Sequence, residues 1–182
     1  MSLTLILGPM KSGKSYDLIS YFAPLRYTDI PFAVYQCKKN VRDVAVQSRN
    51  GSLLDAKKIE ALEELRHEKA DIIGIDEFHM FGTDGLAVID DLLRAGKQIV
   101  ISSLDTDYRG ALFANVAYLF SLGPKEVKFR RAVCETCKKP DAIYTQIFDG
   151  SAPLLGGMPS SIPEDGRFSY VPMCRTCFTR PA

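Results

Sequence analysis

The chain has 182 residues, 46% hydrophobic and 25% charged, enough to bury one sizeable core with a small appendage but not two full domains. Its 23 lysines and arginines against 22 acids leave a formal charge of +1, which argues against the broad cationic face of a dedicated nucleic-acid binder and leaves room only for a local basic groove. No apolar run approaches the roughly 20 residues that span a bilayer, and the opening residues lack a basic leader and a cleavage site, so a soluble cytoplasmic protein is expected.

Residues 3–7 form a short apolar run ending in glycine, as a buried parallel strand does. A helix is expected from near Gly13 to just before Pro24, then a strand over residues 32–36. Ile59, Leu62 and Leu65 fall on one face of an expected helix over residues 55–67. Residues 72–75 read as a strand running into acids. Leu86, Ile89, Leu92 and Leu93 mark an amphipathic helix that Gly96 can close with a left-handed cap before a strand over residues 98–102. Strands alternating with helices predict an α/β domain with a mainly parallel sheet over residues 1–130. From about Arg131, proline and glycine accumulate and periodicity fades, which predicts a small metal-bound lobe with a long loop over residues 131–182.

Gly8-Pro9-Met10-Lys11-Ser12-Gly13-Lys14-Ser15 satisfies G-x-x-x-x-G-K-[ST] without a mismatch, between an expected strand and an expected helix. Its glycines let backbone N–H groups turn inward around a polyphosphate. Lys14 would reach the β- and γ-phosphates of ATP, and Ser15 would offer its hydroxyl to Mg²⁺. Asp76 and Glu77 end the apolar strand that begins at Ile72. Asp76 would orient Mg²⁺, and Glu77 would accept a proton from an attacking hydroxyl or water. The alternative is a helix N-cap with a first-turn acid. His79 is either a hydrogen-bonded structural residue or a catalyst, and Phe78, Met80 and Phe81 suit core or pocket wall equally.

Cys134 and Cys137 form one Cys-x-x-Cys knuckle and Cys174 and Cys177 the other, 36 residues apart; that gap exceeds the common ribbon spacing of about 15 to 20. Four thiolates suit a closed, tetrahedral and therefore structural Zn²⁺ site tying the ends of the long loop. A redox pair or disulfides are the alternatives. Cys37 reads as a small buried hydrophobe.

Several separate blocks, covering almost the full length, resemble the type II, zinc-containing thymidine kinases. They are Gly8-Pro9-Met10, Ile75-Asp76-Glu77, the segment from Leu104 through Asp105, Asp107, Tyr108, Arg109 and Gly110 to Phe113, Tyr144-Thr145, and Tyr170 ahead of Cys174-Arg175 and Cys177. The resemblance implies a RecA-like P-loop domain with a zinc lobe, and a lasso loop that folds over the nucleoside and reads its base largely through backbone groups. It further implies a homotetramer and ATP-dependent phosphorylation of the 5′-hydroxyl of thymidine or a related pyrimidine deoxynucleoside. Within it, Glu77 matches the catalytic base, and Met10, Leu104, Tyr108, Phe113, Thr145 and Tyr170 match positions lining or closing the nucleoside pocket.

The chain differs from the family pattern at several positions. Lys11 replaces an aromatic residue, Asn40-Val41-Arg42 stands for Asp-x-Arg with Asp43 able to compensate, and His79-Met80-Phe81 replaces Gln-Phe-Phe. Ile147 replaces an arginine, Leu112 a proline, and in the lasso, residues 149–169, Gly166 alone keeps its expected distance from Tyr170. These changes cluster around nucleoside and metal, suggesting a divergent member whose pocket admits a different or modified pyrimidine. Two other readings stay open: a nucleotide-binding regulatory module that has lost turnover, and a zinc-containing P-loop ATPase acting on DNA, although the near-neutral charge predicts no nucleic-acid polymer as partner.

Overall fold

The computed structural model describes residues 1–40, 45–47, 51–162 and 166–180. The strands are β1 (Ser2–Leu7), β2 (Phe32–Cys37), β3 (Val46–Gln47), β4 (Leu53–Leu54), β5 (Lys57–Ile59), β6 (Ile72–Asp76), β7 (Gln98–Ser103), β8 (Glu126–Phe129), β9 (Tyr144–Asp149), β10 (Ala152–Pro153) and β11 (Phe168–Met173). The α-helices are α1 (Lys14–Phe22), α2 (Ala87–Arg94) and α3 (Ala114–Ser121). A six-stranded sheet runs in the order β5-β2-β6-β7-β1-β8, and every neighbouring pair in it is parallel.

The apolar runs become strands because both faces of this sheet are covered. Side chains alternate across each strand: Leu3, Leu5 and Leu7, Ile73 and Ile75, and Ile99 and Ile101 face one core with α2 and α3. Ile6, Ile72 and Val100 face the other with Leu18, Ile19 and Phe22 of α1. Gly74 lies where the Phe22 ring crosses β6, and a Cβ there would stand 2.7 Å from a ring carbon. Gly96 ends α2 as expected, at φ 87°, with its N–H donating to the Leu93 carbonyl.

One expected element is different. Residues 55–67 do not form a helix: β5 pairs with Tyr35–Cys37 of β2 at the sheet edge, and Leu62–Leu65 is a 3₁₀ turn. Ile59, Leu62 and Leu65 are buried at their three-residue spacing, but that spacing also fits a 3₁₀ turn. The Glu64 carboxylate accepts the N–H groups of Glu60 and Ala61 just after the strand, which stops the ladder there. Helix α3 and edge strand β8 occupy a stretch where the sequence pattern announced no element.

Beyond β8, an isolated bridge joins Ala132 to Ala142, and β9 pairs antiparallel with β10 and β11. Cys134, Tyr144, Met173 and Phe178 form a small separate core there, with the Tyr144 and Phe178 rings stacked at 4.4 Å.

Gly74→Ala should cost about 1–3 kcal/mol of folding stability, the usual range for overpacking a closed core. Chemical denaturation measures it, and an unchanged midpoint would show that the Phe22 ring gives way freely.

Candidate functional site

The loop between β1 and α1 owes its shape to glycine at two positions. Gly8 has φ 147°, and a Cβ on it would stand 2.4 Å from the Arg130 carbonyl oxygen. Gly13 opens α1 at φ 86°. Between them Lys11 is held in the left-handed region at φ 62°, a conformation that non-glycine residues rarely adopt. The Lys14 ammonium is buried and donates to the Pro9 carbonyl at 2.8 Å. Ser12 Oγ is buried with no hydrogen-bond partner among the described residues. A buried cation, an orphaned hydroxyl and a glycine-shaped backbone at a helix start are a donor set that fits a polyphosphate. Ser15, half-buried, lies in the first turn of α1.

Asp76 ends β6 beneath this loop and is held by both neighbouring strands. Its Oδ1 accepts the Ser102 hydroxyl at 2.6 Å and its Oδ2 the Gln36 amide at 3.1 Å. Burial first, and then the charge of Glu77, push its pKa up to about 6, against the pull of Ser102, Gln36 and the Lys14 ammonium. Such a carboxylate gains from a cation, so Asp76 fits a site for Mg²⁺. Glu77 follows at φ 51° and starts the 3₁₀ turn Phe78–Met80, to which its side chain makes no capping hydrogen bond. The helix-cap alternative therefore does not describe it.

The 3₁₀ turn is fixed from two sides. Asn115 Nδ2 donates to the Phe78 and Phe81 carbonyls, and Ser103 Oγ accepts the His79 N–H. Phe78, Met80 and Phe81 are core residues. His79 instead lines a pocket, with Nδ1 3.5 Å from Glu77 Oε2 and its ring against Phe113. Burial, helped by the Lys14 charge, lowers its pKa to about 3, so the ring is neutral near pH 7.

Leu104, Tyr108, Phe113, Thr145 and Tyr170 line that same pocket, a narrow cleft open to solvent. Met10, the remaining expected pocket residue, is not among the lining side chains, but its N–H donates to Thr145 Oγ1 at 2.9 Å. Thr106, Asp107, Ile147 and residues 160–162 of the expected lasso complete the wall. Tyr108 and Tyr170 donate their hydroxyls to the Met158 and Ile162 carbonyls, and Arg109 spans from Asp107 to Ser160 Oγ, so the lasso backbone is pinned against the 104–113 segment. Asp105 is largely enclosed, and burial raises its pKa. Asn40 is buried, with its carbonyl accepting from Lys58; Arg42 and Asp43 lie outside the described residues.

Arg130 was missed in the sequence. It follows β8 with its N–H on the Leu7 carbonyl, and its guanidinium contacts the Ser12 carbonyl and, at 3.5 Å, Asp17. Nothing in its spacing signals that β8 pairs with β1 and brings it beside the loop.

The sulfurs of Cys134, Cys137, Cys174 and Cys177 all lie within 4.8 Å of one another. Cys137 and Cys174 are 3.7 Å apart, far beyond a bonded pair and close to the edge of a tetrahedron with Zn–S bonds of about 2.3 Å. All five cysteines are free thiols, and Cys37 is fully buried. Burial opposes ionisation of Cys134, but backbone N–H groups of Cys137, Cys174 and Thr136 outweigh it and bring the thiol down to about 6. Four clustered thiols, one already favouring thiolate, fit structural zinc.

Purified protein should carry about one zinc per chain, and Cys137→Ser should release it with loss of stability; a metal-free protein of normal stability would contradict the site. The raised pKa of Asp76 carries a sign that a second measurement checks. Protonated Asp76 is compatible with burial, so its favourable contribution is present below the unfolded pKa near 4 and is lost as pH rises through about 6. Without magnesium, Asp76→Asn should therefore match the parent below about pH 4 and exceed it by about 1–3 kcal/mol at pH 7. Equal stability at pH 7 would mean that the charge is already compensated.

A family model described as thymidine kinase matches residues 1–178. Thymidine kinases from two strains of Ureaplasma parvum serovar 3 are each 31% identical over 144 residues, 74% of this chain and 64% of theirs. The chain thus spans less than two thirds of the length of these relatives. Among solved structures, the cytoplasmic domain of the Thermomonospora curvata Type VII secretion ATPase EccC aligns with 95% of this chain and 24% of its own at TM-score 0.47 and 11% identity. No helix among the described residues is long and apolar enough to cross a membrane. On the match over residues 1–178, the chain belongs to the thymidine kinase family, and its four-cysteine cluster fits the zinc-containing type II branch.

Proposed function

We propose that this chain is a deoxynucleoside kinase that transfers the γ-phosphate of ATP to the 5′-hydroxyl of thymidine or a closely related pyrimidine deoxynucleoside. The observation that carries the reading is the Met10–Thr145 hydrogen bond. It joins the phosphate loop directly to the wall of the pocket that holds Tyr108, Phe113 and Tyr170, so a triphosphate on one and a nucleoside in the other meet.

The loop N–H groups and Lys14 bind and orient the triphosphate. Asp76 and Ser15 would hold Mg²⁺, which when bound supplies charge neutralisation on the transferring phosphoryl group. Glu77 accepts the proton of the 5′-hydroxyl as the new O–P bond forms and the bond to the β-phosphate oxygen breaks. The pinned lasso backbone, held by the Tyr108 and Tyr170 hydroxyls, shields the nucleoside from water and limits transfer to a water acceptor. The cysteine cluster, with every ligand position taken by protein, serves architecture only. Ile147 in the pocket wall replaces a charged contact with an apolar one, which suits a substrate with an apolar or modified base edge.

ATP-dependent phosphate transfer should be measured with thymidine, deoxyuridine and 5-substituted deoxyuridines. Glu77→Gln should lower turnover by about 10²–10⁴-fold with ATP binding retained, the range usual for a general base. ATP binding without transfer to any pyrimidine deoxynucleoside would point instead to a regulatory module, and DNA-stimulated hydrolysis to an ATPase; either overturns the kinase reading.

A further inference from the structure

His79 is a polar side chain buried to 6% exposure whose Nδ1 has no hydrogen-bond partner among the described residues. Buried polar atoms without partners are rare and call for an explanation. The backbone that carries the ring is fixed on both sides. Ser103 Oγ anchors its N–H, Asn115 clamps the carbonyls on either side of it, and the Phe113 ring lies 5.1 Å away, centre to centre. Its ring faces the carboxylate of Glu77, 3.5 Å from Nδ1, and the pocket that it lines.

A neutral imidazole has one N–H and one bare nitrogen. An ionised carboxylate only accepts, so a bare Nδ1 facing it would set two lone pairs against each other, whereas an Nδ1–H would donate. We infer that His79 holds its proton on Nδ1 toward Glu77, positions that carboxylate, and leaves Nε2 as a bare acceptor for a hydroxyl or N–H group of the nucleoside. This rests on the kinase reading in one respect, since Glu77 must be ionised to act as a base. The 3.5 Å separation is long for a hydrogen bond and is of the kind that tightens when substrate fills a site. The ring stays neutral because burial and the Lys14 charge oppose its protonation. His79 is thus a positioning residue that also selects substrate by offering an acceptor, never a cation.

The chain has two histidines, and the other, His67, is exposed, so ¹⁵N NMR of the intact zinc-loaded protein reads the His79 ring against an internal reference. An Nδ1–H tautomer throughout pH 5–8 supports the inference, and an Nε2–H tautomer or an imidazolium in that range overturns it. Three variants then separate positioning from packing. His79→Phe keeps the shape and should lower kcat by about 10- to 100-fold, the worth of a hydrogen bond to a charged group. His79→Asn places an amide nitrogen where Nδ1 stands and should recover most of that kcat while raising KM for the nucleoside several-fold. His79→Gln places its amide near Nε2 and should do the reverse. Equal kcat and KM in all three, with only stability altered, would make His79 structural. Because the tautomer is read without turnover, the two proposals fail separately. An Nδ1–H ring in a protein that phosphorylates no nucleoside sinks the kinase and keeps the pair, and an Nε2–H ring in an active kinase sinks the pair alone.

Discussion

Parallel pairing is the constraint on which the site depends. Because β1, β2, β6, β7 and β8 all run the same way, their carboxyl ends lie along one edge of the sheet, where a ligand crevice forms. The phosphate loop follows β1, Gln36 lies near the end of β2, Asp76 ends β6, Ser102 and Ser103 end β7, and Arg130 follows β8. These five segments are far apart in sequence. All but Arg130, which follows the mostly exposed edge strand β8, are delivered by strands whose own reason for existing is the burial of alternating apolar side chains on two faces.

That edge concentrates charge where water has been removed. Asp76, Glu77, Lys14 and His79 are each more than nine-tenths buried, and for Asp76 and Lys14 fixed dipoles make burial tolerable. The Ser102 hydroxyl and Gln36 amide hold Asp76, and the Pro9 carbonyl holds Lys14. The left-handed backbone at Glu77 and Lys11 belongs to the same economy. Strain of this kind persists where surrounding packing over-determines a conformation, which is the usual condition of a preorganised site.

Much of this was legible in the sequence because local chemistry was sufficient to announce it. The glycines and lysine of residues 8–15 need their spacing to build the loop, the acids after Ile75 need an apolar strand before them, and the two Cys-x-x-Cys turns carry the thiols that cluster. The positions matched by resemblance, Leu104, Tyr108, Phe113, Thr145 and Tyr170, come together around one cavity. What could not be read was whatever depends on distant pairing. Ile59, Leu62 and Leu65 satisfy helical and 3₁₀ spacing alike, and only the open edge of β2 decides for a strand at residues 57–59. Arg130 beside Ser12, and Thr145 beneath Met10, are contacts across more than a hundred residues that no periodicity encodes.

Lys11 reaches Glu135, a residue enclosed between Cys134 and Cys137, while the next residue back, Met10, is tied by its amide to β9. The tip of the phosphate loop is therefore buttressed from beyond the parallel sheet, by a turn set between two clustered thiols and packed on the small core of Tyr144, Met173 and Phe178. Stiffness at the nucleotide cradle is in this sense borrowed from the cysteine knuckle. A slackening of that turn would be felt as backbone play at residues 10 and 11, one side-chain length away.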